Sequence, residues 1–199
     1  SVSRSEIMSI HALSLHPADP DFSPPPDFAD RLRLLNFLGE EFDYFGDVRF
    51  RPGSAFFELI RFDCTHNVIE LKPTEDGLTE LPPQDSRDFV QIELSSCDKP
   101  GVTCGCNIRD PLCPVCATPA GDWGDLIGAW HDTNAAFNCA DCGHGCSIPD
   151  LNWQHVAGFA RCWITIQQIY EGDAVPVDEF LASLADTTGC EWRYLWYHL

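Results

Sequence analysis

The chain has 199 residues, 44% of them hydrophobic and 12% aromatic, enough for a packed interior and inconsistent with a disordered protein. Its 31 Asp and Glu against 12 Lys and Arg give a formal charge of −19, which disfavours direct binding to nucleic acid or an anionic membrane. No apolar run reaches the ~18 residues of a membrane-spanning helix, no basic-then-hydrophobic leader opens the chain, and an odd number of cysteines cannot pair completely, so reduced thiols in a cytoplasmic protein are expected.

The single methionine is Met8, so residues 1–7 read as a tag or an alternative start, and residues 8–199 read as one α+β domain. From His16 to Asp27, Pro17, Pro20, Pro24, Pro25 and Pro26 predict a loop. Asp27 is placed to cap a helix over Phe28–Phe42, whose Leu32, Leu34, Leu35, Leu38 and Phe42 fit one buried face. Phe56–Phe62 and Val68–Leu71 read as an antiparallel pair, and Phe89–Leu94 as a further strand. The intervening Lys72–Arg87 reads as an exposed connector.

Beyond the cysteine-rich middle, Leu151–Tyr170 has helical length and a broad stripe of Val156, Phe159, Ala160, Trp163, Ile166, Ile169 and Tyr170. A shorter helix is predicted over Val177–Ala185, and the aromatic Cys190–Leu199 reads as a final strand. On that strand Trp192, Tyr194 and Trp196 share one face, suited to core packing or to anchoring a partner. The element order predicts an α+β fold: an antiparallel sheet, packed helices and a metal-stapled insertion over residues 97–146.

Eight of the eleven cysteines fall in that insertion. Four form two hooks, Cys113-Pro-Val-Cys116 and Cys139-Ala-Asp-Cys142, separated by 22 residues. Each hook is a tight turn that turns two sulfurs to one side, so the pair can surround one tetrahedral Zn²⁺. Gly143 stands where such a knuckle needs freedom from a Cβ, whereas the first hook carries Ala117 there. Over residues 113–143 the pattern resembles a zinc ribbon, and the resemblance implies a structural zinc.

Cys97, Cys104, Cys106 and Cys146 supply thiols for a second Cys₄ site, with His144 as a reserve ligand; one metal with free or redox-active thiols is the other partition. Cys64, Cys162 and Cys190 lie among apolar residues and read as small buried hydrophobes. A redox dithiol at Cys113–Cys116 would need a helix N-terminus directly behind it, and Pro111 and Pro114 do not announce one.

Catalytic signatures are missing. Leu112 rather than proline precedes Cys113, no His has Glu two positions on, and His-Glu-x-x-His, Gly-x-Ser-x-Gly and the glycine-rich nucleotide fingerprints do not occur. The adjacent His131 and Asp132 offer the best acid–base pair, against a surface or capping role. Residues 97–146 hold two basic residues, Lys99 and Arg109, against six aspartates, which leaves no footprint for phosphate. The expectation is a zinc-stabilised acidic protein that binds a basic partner surface, as an inhibitor or immunity-type protein does. The alternative is a metal-dependent enzyme with a structural zinc and a second, open metal site at His131 or His144.

Overall fold

The computed structural model describes residues 10–63 and 90–199. Among these described residues, ten strands, four α-helices and one 3₁₀ turn form an α+β fold around a curled six-stranded antiparallel sheet. The sheet runs β10 (Trp192–His198), β1 (His11–Pro17), β8 (Ala157–Gln167), β5 (Ile92–Cys104), β3 (Asp47–Pro52), β2 (Leu38–Tyr44). The first and last described strands are thus neighbours, Leu13 opposite Trp196 and Leu15 opposite Tyr194. The main core gathers Leu13 and Leu15 of β1, Ile164 and Ile166 of β8 and Ile92 of β5, all fully buried. Against them pack Phe28 and Leu32 of α1 (Phe28–Leu34), Phe56 of α2 (Phe56–Leu59) and Phe180 and Leu184 of α4 (Asp178–Thr188).

The Leu151–Tyr170 segment is not a helix but chiefly β8. It contributes to three buried clusters: Cys162, Ile164 and Ile166 to the main core, Ala157 and Phe159 to a second, Ala160 and Trp163 with Leu195 to a third. A strand covered on both sides is apolar almost throughout and therefore also satisfies a helical stripe. The helix predicted over Phe28–Phe42 stops at Leu34; Asn36 takes a left-handed φ of 55°, and the chain re-enters the sheet at Leu38. Asp27 makes no side-chain cap bond and instead pairs with Arg31 Nε at 3.0 Å.

Phe56–Phe62 is also not one strand. Its first half is the turn of α2, and Ile60–Phe62 is β4, paired with β9 (Ala174–Pro176). Its expected partner Val68–Leu71 and the Lys72–Arg87 connector lie outside the described residues, as do Cys64 and Phe89. The strand predicted to start at Phe89 is β5 from Ile92, and it runs on to Cys104, past Cys97 where the metal-stapled insertion was predicted to begin. His16 and Pro17 belong to β1 rather than to a loop. The Val177–Ala185 helix is α4, closed by Gly189 at φ 72°, and the final strand is β10.

On β10 the aromatic face packs inward. Trp192 is buried in the main core with its Nε1 donating to Thr188 Oγ1 at 2.9 Å, and Trp196 Nε1 donates to Ala174 O at 2.9 Å. At the sheet's other end β2 is an edge strand whose Glu40, Glu41 and Asp43 are all exposed, a charge pattern that discourages strand addition. No helix among the described residues is long and apolar enough to cross a membrane.

Candidate metal centre

Both cysteine hooks close in the same way. Leu112 bridges Pro119 and Asn152, which sets Cys113 at the end of a short hairpin. Cys113 N donates to Thr118 O at 2.8 Å, and Ala117 N donates to Cys113 O at 3.0 Å. In the second hook, at the tip of the hairpin of β6 (Ala136–Asn138) and β7 (Gly145–Ser147), Cys139 N donates to His144 O at 2.8 Å and Gly143 N to Cys139 O at 2.9 Å. The residue after the second cysteine is left-handed in each, Ala117 at φ 58° and Gly143 at φ 72°. The sequence signal for this equivalence is position: both stand four residues after the first cysteine of their hook.

Between the hooks runs α3 (Trp123–Thr133), which was not predicted. Asp122 caps it, its Oδ1 accepting from Gly124 N at 2.9 Å and Asp125 N at 3.1 Å, and Asn134 ends it at φ 50°. Leu126, Ile127 and Trp130 dock the helix on the second cluster of Ile148, Leu151, Trp153 and Phe159. The Trp130 ring meets Phe159 edge-on at 4.9 Å. The aspartate cap and this apolar face were both visible in the sequence.

The result is that Cys113, Cys116, Cys139 and Cys142 place their sulfurs within 4.8 Å of one another. Cys113 to Cys142 is 3.7 Å and Cys116 to Cys139 is 3.5 Å. Zinc–thiolate bonds of about 2.3 Å in a tetrahedron separate sulfurs by about 3.8 Å, so the set needs only small adjustment to hold one ion. In each hook the first cysteine is buried and the second exposed, so the inner sulfurs join the site to the fold.

Electrostatics favour a cation there. Hydrogen bonds from Thr118, whose Oγ1 lies 3.2 Å from the sulfur, push the Cys116 thiol down to about 6. At Cys142 the His144 backbone hydrogen bond favours the thiolate, yet desolvation and the neighbouring sulfurs of Cys116, Cys139 and Cys113 outweigh it and push the thiol up to about 12. One thiolate forms easily and then opposes the next; a divalent ion turns that repulsion into attraction.

The other named residues lie elsewhere. Among the described residues the four-sulfur group is the only cluster of three or more candidate ligands, and Cys97, Cys104, Cys106 and Cys146 are outside it. Cys104 and Cys146 pack at the margin of the second cluster, and burial pushes both thiols up. Cys106 is exposed, with its N–H donating to His198 O at 2.8 Å. Cys97 is exposed where β5 bulges, its carbonyl accepting from Arg161 Nε at 3.5 Å. His144 serves the second hook through its main chain. His131 and Asp132 form a solvent-exposed pair at 3.2 Å on the last turn of α3. Cys162 is buried in the main core as expected of a small hydrophobe, whereas Cys190 is half-exposed.

No family model matches the chain, and neither a curated protein nor a solved structure does. What can be said of the site therefore rests on its own geometry: four cysteines stand close enough to hold a metal ion.

Proposed function

We propose that the chain is a zinc-stabilised acidic protein that works by binding a basic surface on a protein partner, in the manner of an inhibitor or immunity-type protein. The observation that carries the structural half is the closed four-sulfur set, since four protein sulfurs fill a tetrahedral shell and leave no position for a reacting water. Thiolate preference at tetrahedral geometry favours zinc over the hard oxygen-seeking ions. The metal then holds the two hairpins together across α3, and its binding energy is folding energy for the insertion.

The partner half is supported by charge. At −19 the chain attracts cationic surfaces over a range set by ionic strength. Candidate contacts are Asp125, Asp132 and Asp141 on the insertion and Glu40, Glu41 and Asp43 on edge strand β2. Glu41 is partly neutralised by Arg33 at 2.8 Å, which leaves the insertion the more strongly acidic of the two. A pull-down from native lysate at low and high salt, repeated with Asp125, Asp132 and Asp141 reversed to Lys, tests the reading. A cationic partner retained at low salt, released at high salt and lost by the reversal is expected. A partner indifferent to salt and to the reversal would reduce the charge to a solubility property.

A further inference from the structure

A cavity of about 290 Å³, away from the cysteines, lies between β1, β8, β10 and the loop at 149–155. Its walls include Trp153 and Trp192, both buried, with the His155 ring stacked on Tyr194 at 4.2 Å. His16, only 5% exposed, is a lining residue from β1. Its Nδ1 lies 2.9 Å from the carbonyl of Pro17, which can only accept, so Nδ1 carries the hydrogen and Nε2 is a bare acceptor. No described residue donates to Nε2. Burial pushes the imidazole down to about 4, helped by the charges of Arg193 and His155 and opposed by the Pro17 hydrogen bond, so the ring stays neutral near pH 7.

Two further observations show that the ring and the loop are held in place. A Cβ on Gly158, another lining residue, would stand 2.6 Å from His16 Nε2, so glycine is what lets the ring lie there. Gln154 and His155 are consecutive left-handed residues, at φ 52° and 58°, a conformation costing about 1–2 kcal/mol each without glycine. The loop keeps it because Gln154 N donates to Asn152 Oδ1 at 3.0 Å, Gln154 Nε2 to Asp110 O at 3.1 Å, and Trp196 N to His155 O at 2.8 Å.

We propose that this cavity binds a small flat aromatic molecule bearing one N–H or O–H donor, which donates to His16 Nε2 and packs on the surrounding rings. The ring offers one acceptor among largely apolar walls, the pattern by which a pocket fixes the orientation of a flat ligand, and an N–H or O–H donor on the ligand pairs with it. An anion is not the occupant, because the one guanidinium in the wall, that of Arg193, already donates to Asp150 Oδ1 at 3.1 Å and Pro149 O at 3.3 Å. The volume admits one or two fused rings.

The test uses the whole chain with ¹⁵N-labelled histidine. Phenol and indole are titrated into the ~1–10 mM range alongside their donor-free partners anisole and 1-methylindole, and the His16 Nε2 resonance is followed. A saturable shift is expected with phenol or indole, at an affinity about tenfold above that of the methylated partner, and a His16→Phe variant should lose that preference. If neither donor shifts the resonance saturably, or the methylated partners bind as well, the proposal is wrong. Should His16→Phe not fold, the matched pairs on the unaltered protein decide alone.

Discussion

The two hooks differ in one residue that geometry makes comparable, which allows a swap. Ala117 and Gly143 occupy equivalent left-handed positions, and an L-residue there costs about 1 kcal/mol or more relative to glycine. A Cβ on Gly143 would meet no atom within 4 Å, so Gly143→Ala carries the backbone penalty alone, without a clash. Ala117→Gly should therefore stabilise the metal-loaded protein by about 0.5–1 kcal/mol, the relief being reduced by the larger freedom of glycine in the unfolded chain. Gly143→Ala should destabilise by about 1 kcal/mol, and the double swap should return close to the parent. For a chain of this size each step moves the melting temperature by about 2–4 °C, within reach of calorimetry on zinc-loaded protein. Release of zinc to a chelator should follow the same order, slowest for Ala117→Gly. A destabilising Ala117→Gly, or a neutral Gly143→Ala, would refute the equivalence of the hooks.

Replacing Cys116 with Ser removes one exposed sulfur from the four, and elemental analysis should then find less than one zinc per chain, with faster amide exchange over residues 97–146; full stoichiometry and unchanged melting would show that Cys116 is not a ligand. The buried imidazole of His16 has a pH signature. Its value in the fold, about 4, lies below the ordinary 6.5, so the unfolded chain binds the proton first and the stability it contributes above pH 6.5 is lost as pH falls, levelling off below about 4. Denaturant titrations should show native protein losing about 2 kcal/mol relative to His16→Phe between pH 7 and 5, at ~1.4 kcal/mol per pH unit once the unfolded histidine is charged. A difference that stays constant over that interval would mean that His16 is not buried neutral.

How far these features could be read from sequence depended on how local their causes are. A cysteine hook is a turn of a few residues whose ligands, carbonyl bonds and left-handed closing residue are contiguous, so spacing alone brought Cys113, Cys116, Cys139 and Cys142 to one site. The helix α4 and strand β10 were legible for the same reason, with an apolar pattern and stop signals lying within them. Strand β8 failed because its pattern is set by three separate clusters rather than one face, and a residue string cannot show how many cores it serves. The Phe28–Phe42 stretch failed because Leu38 and Phe42 fit a helical stripe equally well on the far side of Asn36, and only pairing with β3 makes them a strand. The His16 cavity is the extreme case. Its lining comes from β1, β8 and β10, so no segment of sequence contains it, and the prolines beside His16 pointed to a loop. Chemistry that must be assembled across a sheet leaves its trace instead in residues that look wrong locally: a glycine inside apolar β8, where a Cβ would strike both the His16 ring and Leu195, and two non-glycine left-handed residues in succession in the loop beside it.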